Sequence, residues 1–511
     1  GVQTCALPIL FEMLLHGIKS GLIRWFPVAS AHMLFLIYPA VGIILATLFV
    51  KYIVRDNISE GVTRVLYAMS RRNSRIARHN CWTSIVGGAT TIGFGGSVGP
   101  EAPIVLTGAA IGSNIGRLAR LNYKHTTLLL CCGAGAALAA IFKAPITGVV
   151  FVLEILMLDI TAGSVIPLLI ASITATTMAF MLRGFDPILA VTLAPADAFE
   201  LWQIPLFILL GVCCGLMSWY FTSTNLRVST LFKKIDKQYK KWIVGGTVLG
   251  VLIFIFPPLY GEGYEGFTSL MHGQAEKLFD NSLFYRFSDI DWVVILFVIA
   301  TMFFKVIAMA STNAAGGVGG TFAPSLFVGA FTGASIALLC NAFFDWDVSI
   351  VSFTLVGMAG VMSGVMKAPL TSIFLIAELS NGYGLFIPLM ITACISFAVH
   401  YYLDPDSIYT KQLPARGAAD PRQGPVGLRL PETRRTDGDR FPAHQGELHA
   451  GRHRTHHFDG APQHLPRDRQ LRASARHHPA GRPARRHVQT REIRPSDFGL
   501  HDSAARQDSG A

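Results

Sequence analysis

Long stretches of this chain carry no Asp, Glu, Lys or Arg, and they mark out its elements. Such runs cover Trp25–Val50, Ile160–Leu182, Leu201–Asn225, Trp242–Gly261, Val306–Phe344, Val348–Met366 and Leu379–Leu403. A membrane-spanning helix needs about 20 apolar residues, so several of these runs are long enough to cross a bilayer. Others are too short or too rich in glycine to cross simply: Ala102–Gly116, Thr126–Phe142 and Ala144–Leu153. Val306–Phe344 is too long for one helix and is interrupted at Gly316-Gly317-Val318-Gly319-Gly320. Broken helices at membrane depth are tolerated where they are buried in protein or line a cavity. The pattern predicts an all-α polytopic membrane protein with broken, tilted helices.

Composition supports this class. Charged residues make up 15% of the 511, hydrophobic residues 51%, and mean hydropathy is +0.45. Soluble domains carry about 25% charged residues, so neither a soluble enzyme nor a disordered scaffold fits most of the chain. The net charge of +11 is misleading, because residues 413–511 hold 18 Arg against 11 Asp plus Glu, or +7 of the total. That segment also holds 10 of the 16 His and 10 of the 26 Pro, has no lysine and shows no apolar periodicity. It reads as a disordered or out-of-frame basic tail, and residues 1–9 read as a non-native leader. The expected transmembrane domain is then 10–412. Arg71-Arg72, Arg75, Arg78 and Lys233–Lys241 are its basic loops. The positive-inside tendency places them in the cytoplasm, here of a bacterial inner (plasma) membrane. The eight cysteines show no CxxC and no disulfide spacing, and read as small buried hydrophobes.

The chain repeats itself. Gly96-Ser97-Val98-Gly99-Pro100 recurs in outline as Gly320-Thr321-Phe322-Ala323-Pro324. Ala144-Pro145-Ile146-Thr147, followed by an apolar stretch ending in Glu154, recurs as Ala368-Pro369-Leu370-Thr371 and Glu378. The offset is 224 in each case, which predicts two homologous halves, about 25–183 and 200–410. Paired broken segments at matching positions point to a binding site where the halves meet. A glycine-rich turn ending in proline and opening a helix presents free N–H groups and the positive end of a dipole. Two such turns meeting at the midplane would hold a dehydrated anion without a full cation, weakly enough to release it. Tight helix packing also uses such turns. Gly93–Gly99 does not match a dinucleotide loop, so no nucleotide, cofactor, metal or nucleic acid is expected.

On these turns, on the two Ala-Pro-apolar-Glu repeats and on Asp406-Ser407-Ile408-Tyr409, the chain resembles the CLC family of chloride channels and proton-coupled anion exchangers over nearly all of 25–412. The resemblance implies two inverted-topology repeats and a homodimer in the lipid bilayer. It also implies one pathway per subunit for chloride and similar small anions. Gly320–Pro324 is similar to the family's GIFAP turn, which makes the backbone N–H groups of Thr321 and Phe322 anion ligands. Tyr409 matches the tyrosine closing the inner side of the site, a place where an interfacial belt tyrosine also fits. Ser59, beside Glu60, is the candidate inner serine, and Gly99 is counted with the anion-binding residues.

Aligning Gly96–Pro100 with the family's GREGP turn puts Val98 at the gate position, and the inner proton-relay position falls on Ile155. Neither side chain titrates, so passive anion movement is expected. Glu101, about one helical turn beyond Val98, is a displaced gate that would restore proton coupling, a first-turn acid serving its own helix dipole, or a carboxylate satisfied by backbone N–H groups. Glu154 and Glu378, being repeat-related, are expected to share a structural role. An intramembrane enzyme would need clustered His, Asp or Lys, whereas His32 and His400 lie far apart in sequence. No enzymatic activity is expected.

Overall fold

The computed structural model describes residues 2–25, 36–184 and 199–412, apart from isolated positions in loops. Every regular element among the described residues is helical. In chain order they are α1 (Val2–Trp25), α2 (Tyr38–Leu48, continued as a π-helical turn to Val54), α3 (Gly61–Arg71), α4 (Thr83–Gly93), α5 (Glu101–Leu118) and α6 (Tyr123–Phe142). Then follow α7 (Pro145–Glu154), α8 (Ala162–Arg183), α9 (Ile204–Lys233), α10 (Gln238–Ile255), α11 (Tyr264–Met271) and α12 (Asp291–Ala315). The last are α13 (Phe322–Phe344), α14 (Ile350–Met366), α15 (Pro369–Leu379), α16 (Phe386–Leu403) and α17 (Ile408–Gln412). Six helices among the described residues are long and apolar enough to cross a membrane, and others are short. One of the six is α6, which corrects the expectation for Thr126–Phe142, because the helix starts at Tyr123 and reaches 20 residues. The long run 306–344 breaks where its glycines lie: α12 ends at Ala315, Gly316 takes φ +114°, and α13 starts at Phe322.

The halves are built alike down to single contacts. Helix α5 packs on α6 and α13 on α14. A Cβ on Gly108 would overlap the Gly133 carbonyl, and one on Gly329 would overlap the Gly357 carbonyl. Small residues let these backbones touch, which is how helices associate where no water drives them together. Lys143 and Lys367 both close their helices in the left-handed conformation (φ 53° and 58°), and each is followed by Ala-Pro opening the next short helix.

These contacts correct the register expected for the first half. The later elements keep the offset of 224: 143 to 367, 154 to 378. From α4 into α5 the offset is 221. Ser97 N–H bonds Thr312 Oγ1 at 3.3 Å, and its mate Val318 N–H bonds Thr91 Oγ1 at 3.0 Å. Gly96 N–H bonds Thr91 O at 2.8 Å, and Gly317 N–H bonds Thr312 O at 2.9 Å. Gly108 and Gly112 on α5 correspond to Gly329 and Gly333 on α13. The second half carries its three additional residues between Gly333 and Phe353, the counterparts of Gly112 and Leu129. The repeated turn is therefore Gly99-Pro100-Glu101-Ala102-Pro103 against Gly320-Thr321-Phe322-Ala323-Pro324.

Candidate functional site

Four short-loop helix starts recur in the repeat, and two of them are closed. The Glu378 carboxylate accepts the N–H groups of Ile146 (3.0 Å) and Thr147 (2.8 Å) and the Thr147 hydroxyl (2.6 Å) at the start of α7. Reciprocally, Glu154 accepts from Leu370 N–H (3.1 Å), Thr371 N–H (2.7 Å) and the Thr371 hydroxyl (2.7 Å) at the start of α15. Each acid ends one helix and fills the anion-accepting N-terminus of its neighbour.

The other two starts, of α5 and α13, meet. Gly99 and Gly320 exchange backbone hydrogen bonds as an antiparallel bridge, Gly99 N–H to Gly320 O at 3.0 Å and Gly320 N–H to Gly99 O at 2.7 Å. The bridge consumes the polar backbone of both glycines and leaves the first N–H groups of α13, at Phe322 and Ala323, beside the junction, with the Ala323 N–H against Glu101. Those groups have no intrahelical partner. A cavity of about 330 Å³ opens onto this junction, with Glu101, Thr321, Phe322 and Tyr409 in its wall and Lys233 and Lys411 also lining it.

Glu101 is the repeat mate of Phe322 and is 2% exposed. Its Oε1 accepts the Tyr264 hydroxyl at 3.0 Å. Its Oε2 has no hydrogen-bond partner of normal geometry and lies over Gly99, where a Cβ would overlap it, and the carboxylate interacts with the N–H groups of Glu101 itself and of Ala323. The carboxylate thus lies against the N-termini of both helices, the Glu101 N–H at the start of α5 and the Ala323 N–H at the start of α13, so the first-turn role foreseen for it is kept alongside its reach across the junction.

Val98 does not face the cavity. Its side chain is 0% exposed and packs so closely on Gly319 that a Cβ there would overlap it. The expectation that Val98 marks the gate is corrected accordingly: the matching Gly-Pro pairs at 99–100 and 323–324 suggested an alignment three residues off the one the bridge enforces. Ile155, the expected relay position, is a buried apolar residue at the end of α7.

Thr321, Phe322 and Tyr409 line one cavity. The Tyr409 side chain meets that of Thr321. Helix α17, which carries Tyr409, is held by the Lys411–Asp404 ion pair, while Lys367 Nζ bonds the Asp404 carbonyl at 2.7 Å. Ser59 and Glu60 lie outside the described residues, whereas Gly61, Val62 and Thr63 just beyond them line the same cavity. His32 is likewise outside the described residues. His400 is buried with Nδ1 2.6 Å from the Gly364 carbonyl, while its Nε2 is buried without a hydrogen-bond partner.

A second cavity, of about 480 Å³, lies against the other side of the junction. Pro100, Glu262 and Tyr264 line it, with Lys19, Lys143 and Arg183 also in its wall. The Glu101–Tyr264 hydrogen bond joins a residue of one cavity to a residue of the other. Sequence reasoning missed Tyr264 and its supporting Lys305. The available signal was a lysine in the middle of an apolar helix, since ionisable residues at membrane depth mark function by default.

The family profile described as "Voltage gated chloride channel" matches residues 42–401. A ClcB-like chloride channel protein of Ralstonia nicotianae is 27% identical over 402 residues, covering 78% of this chain and 87% of the relative. The H(+)/Cl(-) exchange transporter ClcA of Vibrio cholerae is 28% identical over 336 residues, covering 64% of this chain and 68% of the relative. Among solved structures, a slow cyanobacterial Cl-/H+ antiporter superposes with a TM-score of 0.69 at 23% identity, covering 81% of this chain and 96% of that one. A CLC-type fluoride/proton antiporter gives 0.63 at 22%, covering 80% and 94%. At these identities the structural likeness speaks for the fold, an all-helical CLC architecture of inverted repeats. Together with the two helix starts meeting at Gly99 and Gly320, the match over 42–401 shows that this chain belongs to the voltage-gated chloride channel (CLC) family of multi-pass membrane proteins.

Proposed function

We propose that the protein exchanges chloride and similar small anions for protons, with Glu101 as the group that alternately blocks the anion path and carries the proton. The observation that carries this is the Glu101 carboxylate, buried between two cavities and aimed at the first N–H groups of α13. An ionised carboxylate there competes with the anion for the same donors. A protonated one loses that competition and can leave. Phe322 and Thr321 N–H groups, the Thr321 and Tyr409 hydroxyls and Thr63 would hold the anion on the Lys233 side, and the resemblance adds Ser59 to the anion-binding residues. Lys233 and Lys411 at that cavity raise the local anion concentration, and by the positive-inside tendency this side is cytoplasmic. A homodimer in the bacterial inner membrane, which the CLC resemblance implies, belongs to the same proposal, and light scattering of the detergent-solubilised protein tests it.

Passive conduction is the second reading, and Ile155 favours it, because no acid stands at the family's inner relay position. Its other support, an apolar gate at Val98, is removed by the register of the bridge. Glu101 also lines the Lys233-side cavity itself, so water in that cavity would bring protons to the carboxylate without a relay side chain. Anion efflux from liposomes, with potassium and valinomycin clamping the voltage, tests the assignment. Glu101→Gln is expected to keep anion efflux and to lose its dependence on pH. Unchanged pH dependence in that variant would remove Glu101 from the gate.

A further inference from the structure

Tyr264 is the first residue of α11, and its loop is fastened to both halves of the protein. The Tyr260 hydroxyl donates to the Gly93 carbonyl at 3.1 Å, and Gly261 N–H to the Gly95 carbonyl at 3.3 Å. From the other half, Lys305 Nζ donates to the Gly261 carbonyl at 3.0 Å and lies 4.8 Å above the Phe327 ring. Lys305 is 0% exposed in the middle of α12, and no carboxylate among the described residues forms an ion pair with it. Keeping a lysine at such a place is expensive, and what it holds is this loop. Gly261 and Gly263 sit at φ +60° and +88°, and a Cβ on Gly263 would overlap Phe327. The backbone is thereby folded back tightly enough to deliver the Tyr264 hydroxyl to Glu101 Oε1.

We infer that Tyr264 is a latch on the gate, holding the Glu101 carboxylate in its blocking position, and that Lys305 is the positioning residue that keeps the latch in reach. The inference rests on the proposed role of Glu101 and adds to it a rate-setting partner. For the carboxylate to leave the junction it must break the Tyr264 hydrogen bond, which joins a residue of one cavity wall to a residue of the other. Where gate departure limits turnover, weakening that bond speeds transport and, because carboxylate and anion compete for the same donors, strengthens apparent anion binding.

The test is turnover of the full chain in liposomes for Tyr264→Phe, Glu101→Gln and the double variant. A hydrogen bond to a charged group is worth enough that its loss should raise turnover about tenfold, equivalent to about 1.4 kcal/mol, with the apparent anion affinity raised and not lowered, because the carboxylate competes with the anion for the same donors. In the Glu101→Gln background the same substitution should change turnover less than about twofold, because two groups in one interaction are not additive. A merely structural tyrosine would give slower transport when truncated. Lys305→Met should also speed turnover, with no further gain on adding Tyr264→Phe. If Lys305→Met does not fold, the tyrosine cycle alone decides. Accelerated Glu101→Gln with unaltered or slower Tyr264→Phe would overturn the latch and leave the gate standing. No effect of Glu101→Gln on gating would overturn the gate first.

Discussion

Replacing Glu154 by glutamine separates a structural acid from a proton carrier. The Glu154 carboxylate accepts three hydrogen bonds from the start of α15: Leu370 N–H on Oε1, and both the Thr371 N–H and hydroxyl on Oε2. In Glu154→Gln the amide oxygen keeps the Thr371 pair, and its NH2 group faces the Leu370 N–H, donor against donor. The loss is one charge-assisted hydrogen bond, about 1.5–3 kcal/mol, plus the favourable charge at a helix N-terminus, about 0.3–1 kcal/mol. The sum is about 2–4 kcal/mol. With an unfolding entropy of about 2 cal/mol/K per residue over the roughly 400 residues of the folded unit, the thermal midpoint should fall by about 2–5 °C. Thermal unfolding in detergent by intrinsic tryptophan fluorescence measures it, and flux per folded protein in liposomes should equal that of the parent. Glu378→Gln should behave alike. The two caps lie at opposite ends of helices of 10 and 11 residues, about 15 Å apart at 1.5 Å per residue, so their costs should add. Unaltered stability together with a lost proton flux in Glu154→Gln would refute the capping role and make this acid part of the proton route.

Other substitutions probe the junction itself. Gly99→Ala should abolish transport in a folded protein, because the new methyl overlaps Glu101 Oε2 and crowds Ala323; chloride efflux reads the loss. Val98→Glu should destabilise the protein without creating a second gate, since the side chain is buried against Gly319; a folded variant with altered proton flux would contradict the corrected register. Thr321→Val and Tyr409→Phe each remove one hydroxyl from the cavity wall. Each should weaken strongly hydrated halides relative to nitrate by a few fold, about the 0.5–1.5 kcal/mol of one hydrogen bond, in competition flux assays.

The class, the broken helices and the two halves were legible in the apolar runs and in repeated Ala-Pro-apolar-Glu segments, because membrane burial writes itself on many residues at once. The second turn was legible as a unit through Gly320, Phe322 and Pro324. The first was misaligned by three residues because Gly99-Pro100 imitates a turn end that Ala102-Pro103 in fact supplies. Only the tertiary pairing of Gly99 with Gly320, and of Thr91 and Thr312 with their opposite turns, discriminates the two. The shared structural role of Glu154 and Glu378 was foreseen from repeat symmetry, whereas their partners were not, since each acid reaches more than 200 residues along the chain. Tyr264 was illegible for the same reason: nothing local to Gly261-Glu262-Gly263-Tyr264 reveals a carboxylate on α5. Lys305 borders the charge-free run that begins at Val306, so in the sequence it looks like the edge of an apolar segment although it lies within α12.

The most direct test of Glu101 as the coupling group is proton movement driven by an anion gradient. The full chain is reconstituted in liposomes loaded with chloride and diluted into low-chloride buffer at equal pH on both sides. External pH and chloride are then recorded together. The account predicts that chloride efflux drives protons into the vesicles, so the external pH rises. It also predicts that Glu101→Gln abolishes the proton signal while chloride continues to leave. Chloride efflux with no proton movement in the parent protein, at a rate Glu101→Gln leaves unchanged, would contradict it.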